Sequence, residues 1–99
     1  MGKNLSELTE ADFTEITKLA AMFFTPREVA IMLELNIQQC VIDCEIQDNP
    51  VYNAFHSGRL QSELDLRTAV LKLAKSGSST AQQMAFEMLK FSKAKMMDR

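Results

Sequence analysis

Few side chains in this sequence stand at spacings that carry chemistry. Cys40 and Cys44 lie four apart, so a helix would put both thiols on one face. A structural zinc site is built from four Cys or His ligands. Two thiols and the single imidazole, His56, fall short of that, and there is no Cys-x-x-Cys pair. The spacing reads as two small buried thiols in a reducing compartment. His56-Ser57 pairs a base with a hydroxyl, but no Gly-x-Ser-x-Gly elbow or orienting acid accompanies it. Lys75-Ser76-Gly77-Ser78-Ser79-Thr80 has the composition of an anion cradle at a helix start. It does not match the phosphate-loop spacing and reads as a capped turn between helices. Glu63 and Asp65 are two apart on a helix and do not face each other. No catalytic residue, metal site or cofactor is expected. The chemistry that remains is recognition. Gln38 and Gln39 carry amides that can pair with adenine in the major groove, and Arg27 stands nearby.

The elements that would position these side chains are all helical. No stretch alternates apolar and polar residues for long, and no hairpin dipeptide appears. Thr9-Glu10-Ala11-Asp12 starts a first helix, with Phe13, Ile16, Leu19, Ala20 and Phe23 at helical spacing. Thr25-Pro26-Arg27-Glu28 starts a second, combining an N-cap, a proline in the first position and a capping-box glutamate. Val29, Ala30, Met32 and Leu33 form its buried side. Asn36 caps a third, with Ile37, Cys40, Val41, Cys44 and Ile46 inward and Gln38, Gln39, Val41, Asp43 and Glu45 displayed. The stretch from Pro26 to Gln47 therefore has the layout of a helix-turn-helix, joined by Glu34-Leu35-Asn36. Glu34 stands where many such motifs carry glycine.

Asp48-Asn49-Pro50 opens a long fourth helix reaching Lys75, roughly 39 Å at 1.5 Å per residue. Gly58 inside it predicts a kink or a close helix contact. Leu60, Leu64 and Leu71 mark one line, while Leu66, Val70 and Leu73 mark another. A helix apolar on two faces needs two packing partners, and a second subunit is one source. Ser76-Gly77 ends it. A fifth helix, capped by Ser78, Ser79 or Thr80, runs to about Lys95 with Met84, Met88 and Phe91 on its apolar face. The expected architecture is all-α, with about five helices. A helix-turn-helix-like unit over 1–48 precedes a helical hairpin over 49–99 that serves oligomerisation and ends in a basic stretch. The two can also form one compact domain.

Charge is divided unevenly along these 99 residues. Residues 1–58 hold three bases and nine acids, a net of −6; residues 59–99 hold eight bases and four acids, a net of +4. Between Glu28 and Gly58 there is no Lys or Arg at all. Phosphate neutralisation supplies most nonspecific DNA affinity, so a DNA-reading third helix is poorly provided for. Halves of opposite sign favour head-to-tail contact between copies. The composition, 46% hydrophobic and 24% charged, is that of a globular protein without a membrane span. Met1–Glu10 lacks the apolar core of a signal peptide, which points to the cytoplasm.

Three stretches carry a resemblance: Phe24–Asn36 (FTPREVAIMLELN), Asn49–Leu60 (NPVYNAFHSGRL) and Leu73–Gln82 (LAKSGSSTAQ). Over roughly residues 10–92 the chain resembles the small terminase subunit of tailed bacteriophages, or closely similar phage-derived helix-turn-helix proteins. The resemblance implies a non-enzymatic DNA-packaging component in a bacterial host cell. It would assemble as a homo-oligomer, bind double-stranded DNA and regulate the large terminase subunit. It places Arg27, Gln38 and Gln39 on the DNA side. Leu60, Leu64, Leu66, Val70, Leu71, Met84, Met88 and Phe91 fall in the assembly hairpin. Lys90, Lys93, Lys95 and Arg99 are a second set able to touch phosphate or the large subunit. Two other classes fit the residues: a small dimeric transcriptional regulator, and a protein-interaction module that binds no nucleic acid.

Overall fold

A computed structural model describes residues 2–97. A short 3-10 turn, Leu5–Glu7, is followed by α1 (Glu10–Ala21), α2 (Pro26–Met32), α3 (Ile37–Asp43), α4 (Pro50–Lys75) and α5 (Ser79–Met97). The described residues are all-α, with no strand.

The helix starts follow local chemistry. The Thr9 hydroxyl accepts from the Asp12 N–H at 3.2 Å, and Asp12 accepts from the Thr9 N–H at 2.9 Å. That backbone bond is the main reason the Asp12 carboxyl lies below its ordinary range; Lys3 Nζ, 3.4 Å away, adds to it. Thr25 and Glu28 form the same reciprocal box ahead of α2, behind Pro26. Asn36 Oδ1 accepts from the Gln39 N–H at 2.9 Å and opens α3.

The helix ends share one device. Phe23, Glu34 and Gly77 adopt left-handed backbone, with φ of 69°, 56° and 105°. In each case the next residue's N–H reaches back to an orphan carbonyl: Phe24 to Leu19, Leu35 to Ala30, and Ser78 to Leu73. Glycine occupies the left-handed place only in the third. Left-handed backbone costs an ordinary residue about 1–2 kcal/mol, partly offset because glycine is freer when unfolded. Glu34→Gly is therefore expected to raise stability by about 0.5–1 kcal/mol, read as a higher urea midpoint. A lower midpoint would contradict this origin of the turn.

The chain divides into two compact units, residues 1–62 and 63–99. The division falls inside α4, beyond the 48/49 boundary expected from the sequence. The first turns of α4 complete the first unit's core: Val51 and Phe55 are buried with Ile16, Ala20, Val29, Ala30, Leu35, Cys40 and Cys44. Gly58 is buried against α1, the open side of its Cα facing the Thr17 backbone. A Cβ there would run into the Thr17 carbonyl oxygen and lie 2.9 Å from its carbon. Of the two expectations for Gly58, the close helix contact is the one observed.

Three inward or outward assignments change. Met32 is 44% exposed, because α2 ends there and Leu35, beyond the turn, takes the buried place. Ile46 is exposed because α3 stops at Asp43. Asp43, expected on the displayed face, is buried, its Oδ1 accepting from Gln39 Nε2 at 2.9 Å. The N-terminal segment adds a contact with no periodic signal. Lys3 N–H donates to the Glu34 carbonyl, and Asn36 N–H donates to the Lys3 carbonyl at 2.8 Å, so this segment braces the α2–α3 turn.

In the second unit, Ser78 Oγ accepts from the Ala81 N–H and caps α5. Gln82 Nε2 donates to the Ala74 carbonyl at 3.0 Å, tying α5 to α4. Val70 and Ala81 are the buried hydrophobic residues of this unit among those described.

Candidate functional site

The α2–α3 pair is the nucleic-acid surface expected from the sequence. Arg27, Gln38 and Gln39 are all exposed. The Gln39 side chain is already engaged, since its amide donates to Asp43. A hydrogen bond to adenine would have to replace that bond. Glu34, Glu45 and Asp48 are exposed on this unit, and among the described residues none of them is in an ion pair. Lys3, close to the turn, is paired with Asp12. The two helices and the turns that flank them therefore present carboxylates and exposed apolar side chains, Ile31 and Ile42 among them. It offers little to a phosphate backbone beyond Arg27 and free amides.

The thiols and the imidazole serve the fold. Cys40 and Cys44 are both buried. The Cys44 thiol is pushed far above its ordinary range by its hydrogen bond with Cys40, then by burial, with Asp43 adding repulsion. Among the described residues, no three of His, Cys, Asp and Glu are arranged to hold a metal ion. His56 Nε2 donates to the Cys44 carbonyl at 2.9 Å and closes the end of α3, with Tyr52 tilted against its ring. His56 is itself half-buried.

Arg59 carries no role in the sequence reading, yet it is the most engaged cation of the first unit. Its Nη2 donates to the Phe24 carbonyl at 3.0 Å. Its guanidinium lies 5.2 Å from the Phe55 ring centre and 5.7 Å from that of Phe23. It thus pins the left-handed end of α1 to α4. The aromatic run Phe23-Phe24 and the neighbouring Phe55 were the signal present in the sequence, since guanidinium planes favour aromatic faces.

The hairpin of the second unit holds the larger feature. Leu64, Leu66, Leu71, Met84 and Phe91 are exposed, between 45% and 66%. Met88 is half-buried. Leu60, also exposed, belongs to the first unit. Val70 is the exception among the assembly candidates: it is buried between α4 and α5, because the hairpin's own closure uses it. Two apolar depressions flank α5. One, of about 360 Å³, is lined by Leu71, Ala74, Gln82, Ala85, Phe86 and Leu89. The other is formed by Leu66, Arg67, Met84, Met88 and neighbours. Residues 82, 86 and 89 point nearly opposite to 84, 88 and 91 at about 100° per residue, so the depressions lie on different sides of α5.

Protein-family models, characterised proteins and solved structures give no match to this chain. The surfaces themselves must carry the functional reading. Lys90, Lys93 and Lys95 are exposed on the last turns of α5, and Lys95 Nζ lies 5.9 Å over the Phe91 ring. Arg99 lies outside the described residues. No helix among the described residues is long and apolar enough to cross a membrane.

Proposed function

We propose that this protein is a non-enzymatic, self-assembling DNA-packaging component of the small-terminase kind, binding DNA, the large terminase or both as an oligomer. One observation carries the reading: a helix-turn-helix-like unit is joined, through one continuous helix, to a hairpin left apolar on both sides. A hairpin that buries so little of its own apolar surface gains most of its stability from neighbours. Hydrophobic side chains exposed in such number on 37 residues fit an assembly surface better than a free-standing one. DNA contact, in this reading, rests on Lys90, Lys93 and Lys95 more than on α3, because these side chains are cationic and exposed.

The test is a titration of duplex DNA at two salt concentrations, with wild type and a Lys93→Ala, Lys95→Ala double variant. Binding is expected to weaken steeply with salt, and the variant to lower the logarithmic salt slope by roughly 2. Absence of binding even at low salt would remove the DNA half of the proposal. The acidic α2–α3 face would then favour a protein-interaction module.

A further inference from the structure

The first unit displays acidic and apolar side chains together. Glu34 and Glu45 are exposed, each three residues after an exposed isoleucine, Ile31 and Ile42; Arg27 is the exposed cation of α2, and no Lys or Arg occurs from Glu28 to Gly58. The end of α5 displays the complementary set. Lys90, Lys93 and Lys95 alternate with Phe91, Met96 and Met97, all exposed, and Glu87 is the only acid within the helix. Each surface by itself is an ordinary unpartnered patch. Together they match in sign and in apolar character, and a single species of chain carries both.

We propose that the α2–α3 face of one copy binds the lysine-rich end of α5 from a second copy. The interface is heterologous, joining two different surfaces, so each copy offers one free face and one free end; repetition closes into a ring or runs on as a filament. Carboxylates around Ile31 and Ile42 set the register with the lysines, and the Phe and Met side chains supply the buried area. This deepens the assembly part of the proposed function, on which it rests, by naming a contact distinct from the hairpin sides. It also gives the third helix a role that its lack of cations permits. DNA phosphate and the neighbour's carboxylates then compete for the same lysines.

Charge reversal tests the pairing in the intact protein without DNA. One variant carries Glu34→Lys and Glu45→Lys, the other Lys90→Glu and Lys93→Glu. All four positions are exposed and none of these side chains caps a helix, so thermal melts by circular dichroism are expected to stay near wild type. Sedimentation of each variant alone is expected to show self-association weakened about tenfold or more. Mixing the two is expected to restore association, because each then offers the sign the other lacks. Variants that assemble like wild type would overturn the proposal. So would a loss that mixing does not repair, which is the outcome if the lysines fold back on their own chain; lysines that serve DNA alone would leave association at the wild-type level. Because DNA is absent from this experiment, its failure leaves the DNA titration as a separate test of the packaging role.

Discussion

Gly58→Ala is expected to destabilise the first unit by about 1–2 kcal/mol, although alanine is the better helix former. At an open helical site the exchange would stabilise by about 1 kcal/mol. Here the added methyl meets the backbone of α1 at Thr17, and backbone cannot swing aside as the end of a flexible side chain can. Forcing a methyl into such a contact typically costs about 1–3 kcal/mol, occasionally more, so the steric cost exceeds the gain in helix propensity. Thr17 is itself fixed by its hydroxyl, which donates to the Phe13 carbonyl at 3.0 Å. The urea midpoint of the variant decides the matter: a rise would mean that α1 and α4 do not approach closely at Gly58.

The second large effect concerns assembly. Phe86→Glu with Leu89→Glu places two charges in the wider depression beside α5. Both side chains are at least half exposed within one chain, so the fold of the protomer loses little. In an assembly that covers the depression, each loses about 1.5–3 kcal/mol of apolar burial. Self-association is then expected to weaken by roughly two to four orders of magnitude, at about 1.4 kcal/mol per tenfold. A concentration series by analytical ultracentrifugation reads it. Unchanged association would mean that neighbours do not cover this side of the hairpin.

Much of the fold is legible in the sequence because its punctuation is chemical and local. Thr9, Thr25, Asn36 and Ser78 each cap the helix that follows, and Gly77 turns the chain where the fourth helix ends. Pro50 to Lys75 is one helix with the bounds expected from its flanking residues. What was not legible depends on contacts between elements. Nothing near Lys3 signals that its backbone will brace the distant turn at Glu34 and Asn36. Asp43 looks like a surface acid until Gln39 bonds to it and the core closes around it. Val70 falls in the apolar pattern of an assembly face, but the hairpin's own closure claims it. Arg59 counts as one more charge in the basic half of the sequence; in the fold it is a clamp between Phe24 and Phe55. Of the candidate site, the exposed amides and lysines were legible as types. The acidic setting of α3 was legible too, since it needs only the absence of Lys and Arg across one stretch.

Other copies of the same chain are proposed to cover the bare sides of the hairpin. The direct measurement is the solution mass of the intact protein, by light scattering behind a sizing column, at moderate salt. A mass several times the 11.2 kDa of one chain is the predicted result. A stable monomer at working concentration would contradict it, since the apolar residues of α4 and α5 would then face water with nothing to cover them.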